Sequence, residues 1–242
     1  MSNMIPKIIH YCWFGRGEMP ELAKKCIASW HEYMPDWEYK LWNEDCFDVN
    51  SVAYAKEAYE AKKYAFVSDY VRLEALHAEG GVYLDTDVEV FKSFEDLLHF
   101  DAFAGFEGSK HLPVGTCVMA SKANGLWVDE MLGEYKNRHF VKGDGSFDLT
   151  TNVQFITAKM CEEGFVTNGK EQEYKDLHVF PVEYFSPRNT MGEYVQTDRT
   201  YCNHLGLGTW ENSNLGWKSR LLKLIGRRNR IRLIKLKRRL IG

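Results

Sequence analysis

The sequence has no apolar run of 18 or more residues and no cysteine pair in a CxxC arrangement. The first absence excludes a membrane-spanning helix, and the second argues against a zinc site or a disulfide framework. The N-terminal segment lacks the basic start and the apolar stretch of a signal peptide. Together these absences predict a cytoplasmic protein whose six scattered cysteines are reduced thiols.

Acidic residues are absent from the last 25 positions, 218–242, which contain eleven Lys/Arg. The first 217 residues hold 20 basic and 34 acidic side chains, a net charge of −14, so the overall −3 is the sum of two opposite parts. This asymmetry predicts a domain over 1–217 and a basic tail over 218–242.

Leucine and isoleucine alternate with basic residues in the tail, as in an amphipathic helix that lies on an anionic membrane surface. Packing on the acidic body and nucleic-acid binding are the two alternatives. The second is disfavoured because the body is acidic and contains no nucleic-acid-binding motif.

The chain is not predominantly polar, since 45% of its residues are hydrophobic and 14% are aromatic. That composition excludes a disordered protein. Strands that alternate with helices predict a single α/β domain with a mainly parallel sheet. The predicted strands are 5–14, 37–42, 82–84, 88–91, 103–106, 116–120 and 179–185; the predicted helices are 21–33, 52–65, 66–79, 126–137 and 152–161; a loop is predicted over 201–210.

Two aspartates stand two residues apart in the segment Gly80-Gly81-Val82-Tyr83-Leu84-Asp85-Thr86-Asp87. They follow a short buried strand, where the ligand crevice of an α/β sheet usually forms. Hard divalent cations prefer such oxygen ligands, so the pair predicts a Mg²⁺ or Mn²⁺ site. A turn with two solvated carboxylates is the alternative for an isolated Asp-x-Asp, and the preceding helix, glycine pair and apolar strand disfavour it.

Asp69 and Arg72 lie three residues apart on the preceding helix and therefore share a face. They could form a surface ion pair of little energetic value. They could also lie beside the metal, where Arg72 would hold a phosphate or a sugar hydroxyl.

The segments Phe66–Leu73 and Gly80–Asp87 together resemble the core signature of glycosyltransferase family 32. The opening Ile5–Gly15 is similar to that family's first strand, and His204–Trp210 is similar to its late histidine loop. The resemblance implies a GT-A fold, of the Rossmann-like type. It also implies a retaining, metal-dependent transferase that uses a nucleotide-sugar donor.

The resemblance further implies roles for individual residues. Asp69, Arg72, Asp85 and Asp87 would form the catalytic group, and Asp85, Asp87 and His204 would bind Mn²⁺ or Mg²⁺. Donor contacts would come from Trp13 at the base, Phe14, Ser68 and Tyr83 in the pocket, Asn152 at the sugar and Trp210 at the β-phosphate.

The expected reaction moves a hexose or N-acetylhexosamine, from a UDP-sugar, to a lipid-linked saccharide in capsule, exopolysaccharide or O-antigen synthesis. The expected location is peripheral, on the inner face of a bacterial cell membrane. The alternatives are a toxin-like transferase that glycosylates a protein and an inactive nucleotide-sugar-binding protein.

Overall fold

A computed structural model describes residues 4–108 and 112–206, all within the first of the two compact units, Met1–Gly206 and Leu207–Gly242, into which the chain divides. The predicted tail over 218–242 and Trp210 lie outside the described residues. The strands are β1 (Ile8–Cys12), β2 (Glu38–Trp42), β3 (Gly81–Leu84), β4 (Val88–Val90), β5 (Ala102–Phe106), β6 (Val114–Ser121), β7 (Gln172–Tyr174), β8 (Leu177–Phe180) and β9 (Cys202–His204). The helices are α1 (Glu21–Tyr33), α2 (Ala53–Glu60), α3 (Tyr64–Glu79), α4 (Leu126–Glu134) and α5 (Asn152–Glu162).

Seven of these strands form one sheet in the order β2-β1-β3-β6-β5-β8-β7, and β4 pairs with β9 in a separate ribbon. The pairings β1–β2, β1–β3 and β5–β8 are parallel, whereas β6 and β7 are antiparallel to their neighbours. Five of the seven strands therefore run in one direction. This confirms the prediction of an α/β domain with a mainly parallel mixed sheet.

Each face of the sheet carries its own hydrophobic core, because side chains alternate along a strand. Tyr83 of β3 belongs to the core that also contains residues of α2, α3, α4 and α5. Its neighbours Val82 and Leu84 belong to the opposite core, which includes Trp30 of α1. Tyr83 and Asp85 are two residues apart, so β3 directs both toward the side covered by α3.

The glycine pair between α3 and β3 is required by the backbone. Gly80 has φ 68° and Gly81 has φ 115°, a region that L side chains rarely adopt. A Cβ on Gly80 would lie 2.6 Å from the amide nitrogen of Ala123, and one on Gly81 would lie 2.7 Å from the carbonyl oxygen of Ile8. The pair therefore ends α3 as predicted and leads directly into β3.

Several predicted boundaries are wrong. The loop predicted over 201–210 contains β9, since Cys202–His204 pair with Val88–Val90. The strand predicted over 179–185 is β8, which ends at Phe180. The helix predicted over 52–65 stops at Glu60, and α3 begins at Tyr64 after a short turn. Strand β7 has no counterpart among the predicted elements.

Candidate active site

The carboxyl end of β3 brings the Asp85-Thr86-Asp87 segment into a tight turn. The amide of Asp85 donates to the carbonyl of Cys117, and the amide of Val88 donates back to the carbonyl of Asp85 at 3.0 Å. The carbonyl of Asp87 accepts from the amide of Leu205 at 3.0 Å, just beyond β9. Strands β6 and β9 thus fix the turn from two sides.

Arg72 lies at the centre of the buried side of this turn. Its Nη2 atom is 3.0 Å from Asp69 Oδ1 and 3.3 Å from Asp85 Oδ1. Its Nη1 atom donates to the carbonyl of Thr116 at 2.7 Å, and the guanidinium lies 4.5 Å above the centre of the Tyr83 ring. The predicted Asp69–Arg72 pair is therefore a bridge to the first aspartate of the motif, with Arg72 only 5% exposed.

Tyr83 and Asn152 complete this arrangement, which we call the Arg72 network (Asp69, Arg72, Tyr83, Asp85 and Asn152). Burial raises the pKa of Tyr83 well above its usual value, so the hydroxyl keeps its proton and donates to Asp85 Oδ1 at 3.0 Å. Asn152 donates from its backbone amide to Asp69 Oδ2 at 3.2 Å and from Nδ2 to the Asp69 carbonyl at 3.1 Å. The N-terminus of α5 thus faces a carboxylate, the orientation that the helix dipole favours.

Burial raises the pKa of Asp69 to about 6, although Arg72 opposes the shift. The carboxyl therefore titrates close to neutral pH. Such a shift, beside a specific charge partner and at the end of a sheet, is characteristic of functional sites.

On the other side of the turn, His204 faces Asp87. The two meet because β9 pairs antiparallel with β4, which places His204 opposite Val88. His204 Nε2 is 3.3 Å from Asp87 Oδ1, and one ligand atom from each of Asp85, Asp87 and His204 lies within 4.8 Å of the others. Two carboxylates and an imidazole are suitable ligands for Mn²⁺ or Mg²⁺, so the three predicted metal ligands fit a divalent cation.

Glu107 is a further acidic residue at this site, and the sequence analysis did not select it. Its Oε2 atom lies 3.8 Å from His204 Nδ1, on the opposite side of the imidazole from Asp87. Burial raises the pKa of Glu107, and Oε2 makes no hydrogen bond within the described residues. We call Asp87, Glu107, Cys117 and His204 the His204 cluster.

Residues 20–104 match the model of the glycosyltransferase sugar-binding region that contains the DXD motif. Among proteins, the chain is 26% identical over 222 residues to the uncharacterized glycosyltransferase L373 of Acanthamoeba polyphaga mimivirus, covering 86% of this chain and 84% of the viral one. Both comparisons support the resemblance of this chain to glycosyltransferases that contain the DXD motif.

Two further comparisons agree with this resemblance. Inositol phosphoceramide mannosyltransferase 3 of Schizosaccharomyces pombe is 34% identical over 106 residues, or 42% of this chain and 30% of that protein. The solved PaToxG glycosyltransferase superposes with a TM-score of 0.50 at 19% identity, over 66% of this chain and 70% of that one, which supports the GT-A fold. The chain spans less than a third of the length of several relatives that it matches.

The remaining predicted donor-binding residues lie in different surroundings. Trp13 follows β1, is partly exposed and donates from Nε1 to the carbonyl of Gly17 at 2.7 Å. Phe14 is 6% exposed and packs edge-on against Phe47 in the core. Ser68 is partly exposed on α3. Their contacts with a donor, and that of Trp210 outside the described residues, stay predictions.

Asn152 and Tyr83 are both deeply buried in the structure. Asn152 is 1% exposed, and its Oδ1 accepts from the Tyr135 hydroxyl at 3.2 Å. Tyr83 is 2% exposed beneath Arg72. In the structure both residues hold carboxylates of the site, Asn152 holding Asp69 and Tyr83 holding Asp85, and their contact with a donor stays a prediction.

Glu107 could have been found from its position in the sequence. It follows the apolar strand β5 directly, as Asp85 follows β3, and the two strands run in the same direction in the sheet. Acidic residues after parallel strands meet at one edge. Cys117 carried no such signal, because it lies within the uniformly buried strand β6.

Proposed function

We propose that this glycosyltransferase moves a hexose or N-acetylhexosamine, with retention of configuration, from a UDP-sugar to a lipid-linked saccharide. The observation that carries the proposal is the junction of Asp85, Asp87 and His204 with the buried Asp69–Arg72 pair. One part is a cation site for a diphosphate, and the other is a fixed set of donors and acceptors for a sugar.

Asp85, Asp87 and His204 would hold Mn²⁺ or Mg²⁺, which would stabilise the charge that develops on a leaving nucleoside diphosphate. Asp85 is held by Arg72 and Tyr83, so one of its oxygens is already engaged by protein donors. Asp87 Oδ1 lies 3.3 Å from Nε2 of His204, the third proposed ligand. We therefore infer that Asp87 is the principal carboxylate ligand and that Asp85 aligns the turn.

Asp69 accepts hydrogen bonds from hydroxyl groups of the donor sugar. Asn152 and Arg72 fix the orientation of its carboxylate close to the DXD motif. Arg72 contacts both Asp69 and Asp85 and offsets part of the repulsion between the two carboxylates. No described carboxylate is placed as a covalent nucleophile distinct from this pair. We favour front-face attack, with the leaving phosphate accepting the proton of the acceptor hydroxyl.

A lipid-linked acceptor is favoured by the basic tail over 218–242 and by the name of the similar yeast protein, which glycosylates inositol phosphoceramide. Within the described residues no helix is long and apolar enough to cross a membrane. We propose peripheral association with the inner face of a bacterial membrane, and a role in capsule, exopolysaccharide or O-antigen synthesis.

The proposal is tested by donor hydrolysis and by transfer. A panel of UDP- and GDP-sugars is incubated with the protein and Mn²⁺, and the released nucleotide is measured. We expect metal-dependent release from at least one UDP-sugar and its loss in the Asp87→Ala variant. Asp101→Ala is the matched control, because Asp101 precedes β5 at the opposite end of that strand from Glu107. Metal-independent release that survives Asp87→Ala would contradict the proposal.

Acceptor class is tested separately by adding undecaprenyl-linked saccharides in anionic vesicles, or a protein mixture, to the active donor. Transfer to the lipid saccharide supports the proposed acceptor. Transfer to protein alone would contradict it and favour a toxin-like activity.

A further inference from the structure

A second set of side chains that could bind a metal ion shares His204 with the DXD site. Glu107, Cys117 and His204 each offer one ligand atom, and these atoms lie within 4.8 Å of one another. The three residues follow or belong to β5, β6 and β9, three separate strands. Their spacing in the sequence therefore shows no metal-binding pattern, and only the fold brings them together.

The two nitrogens of His204 face different partners. Nε2 is 3.3 Å from Asp87 Oδ1, whereas Nδ1 is 3.8 Å from Glu107 Oε2. The ring therefore separates the DXD carboxylates from the Glu107 side. A cation bound through Nδ1 would occupy a different position from one held by Asp85 and Asp87.

One oxygen of the Glu107 carboxylate, Oε2, faces Nδ1 of His204 at 3.8 Å. Oε2 is buried and has no hydrogen bond among residues 4–108 and 112–206. Gly115 makes the room for it, since a Cβ at that residue would lie 3.0 Å from Oε2. Gly115 and Cys117 are two residues apart in β6 and share a face of the strand.

We propose that Glu107, Cys117 and His204 bind Zn²⁺ at a site distinct from the hard-cation site of the DXD motif. A carboxylate, a thiolate and an imidazole form a ligand set that suits zinc, with water completing the tetrahedron. The Cys117 thiol and a protonated Nδ1 of His204 release their protons to solvent as the metal binds. Two negative ligands and a neutral imidazole then balance the dication, which a buried site requires.

When Zn²⁺ occupies this site, His204 can no longer coordinate a cation at the DXD motif. A neutral imidazole has one acceptor nitrogen and one N–H. Zinc on Nδ1 therefore places the proton on Nε2, which then cannot coordinate a cation beside Asp87. Zn²⁺ should weaken Mn²⁺ binding; this consequence rests on the proposed function, whereas zinc binding itself does not.

The test is a Zn²⁺ titration of the chelator-treated full chain against a competing chromophoric chelator, without donor or acceptor. We expect one tight site in the unsubstituted protein. Cys117→Ser and Glu107→Gln should each weaken it at least about tenfold. Asp85→Asn should retain zinc affinity, and Cys161→Ser, which removes an exposed thiol on α5, is the matched control.

Cobalt substitution identifies the ligand directly and does not depend on a variant folding. Co²⁺ in the unsubstituted protein should show a thiolate charge-transfer band that is absent from Cys117→Ser and present in Cys161→Ser. Circular dichroism checks that the variants are folded. Absence of the band in the unsubstituted protein, or equal zinc affinity in folded Cys117→Ser, would overturn the proposal.

Loss of zinc binding in Asp85→Asn, with Cys117→Ser unaffected, would place zinc at the DXD carboxylates and would also overturn it. Mn²⁺-dependent donor hydrolysis is measured on the same samples in the absence of zinc. If hydrolysis persists while zinc fails to bind, the second site is refuted and the proposed function stands.

Discussion

The Arg72 network and the His204 cluster lie on opposite sides of one turn but differ in how completely their polar groups are satisfied. In the Arg72 network, the contacts among the members span 3.0–3.3 Å, Arg72 also donates to the Thr116 carbonyl at 2.7 Å, and α5 adds a helix N-terminus. In the His204 cluster, the two ion pairs are 3.3 and 3.8 Å long, and a buried carboxylate oxygen of Glu107 has no hydrogen bond within the described residues. Other protein groups therefore satisfy the polar groups of the Arg72 network. In the His204 cluster they do so less completely, and we propose that a cation supplies the missing contacts.

The largest effect should come from removing the centre of the Arg72 network. Arg72→Ala leaves Asp69 and Asp85 buried without their shared cation. Breaking a buried ion pair in this way costs about 3–5 kcal/mol in the free energy of unfolding. Urea denaturation measures it, with Lys24→Ala as control because that lysine pairs with two exposed carboxylates, Glu18 and Glu21. A change below about 1 kcal/mol would show that the network does not support the fold.

The second prediction concerns a variant that should lower the rate of catalysis without lowering stability. Asp87→Asn should lower kcat for donor hydrolysis about 100- to 1,000-fold, since the leaving diphosphate loses its principal charge stabilisation. Its midpoint of urea denaturation should change little, because Asp87 lies outside the Arg72 network. A loss of stability comparable to that of Arg72→Ala would contradict the view that only the Arg72 network supports the fold.

The third effect is a pH dependence that belongs to Asp69. Its pKa is raised to about 6 in the folded protein, so the folded state binds more protons than the unfolded state between about pH 4 and 6. Stability contributed by this group is therefore lost as pH rises through that interval, by at most about 3 kcal/mol.

Asp69→Asn lacks this titration. The difference in unfolding free energy, variant minus unsubstituted protein, should become more positive from pH 4 to 7, as measured by urea denaturation in the presence of EDTA. Asp101→Asn, at an exposed position, serves as control. A difference that is flat with pH would contradict the burial of an ionising Asp69.

The fourth and smallest effect probes the outer part of the His204 cluster. Glu107 Oε2 lies 3.8 Å from Nδ1 of His204, beyond hydrogen-bond distance, and its negative charge faces the ring. Groups that surround a metal-binding histidine typically contribute 10- to 100-fold to metal affinity. Glu107→Gln should weaken Mn²⁺ binding within this range while leaving the melting temperature nearly unchanged. Electron paramagnetic resonance of free Mn²⁺ gives the affinity, and an unchanged value would show that Glu107 does not position His204.

The difference between the two sides also explains what could be predicted from the sequence. Asp69, Arg72 and Asp85 lie within one helix–strand unit, where apolar periodicity and the Gly80–Gly81 pair fix the local geometry. Helix α1 is also determined locally, and its predicted bounds are the observed ones. These features depend on neighbours close in the chain.

The His204 cluster depends on contacts that are distant in the chain. Strand β9 is only three residues long, and it forms because it pairs with β4, over a hundred positions earlier. Glu107 reaches the site through the β5–β6 pairing, whose register shifts between Ala104 and Phe106, and through the space left by Gly115. Local propensity carries little of this information. The resemblance, not the periodicity, indicated His204.

The central claim is that Asp85, Asp87 and His204 hold a divalent cation that binds a nucleoside diphosphate. Isothermal titration of UDP and of GDP into the protein, with Mn²⁺ or with EDTA, tests it most directly. The account predicts that at least one nucleotide binds at least about tenfold more tightly with Mn²⁺, and that Asp87→Asn abolishes this gain. Equal affinity with Mn²⁺ and EDTA for both nucleotides, or a gain that persists in Asp87→Asn, would contradict it.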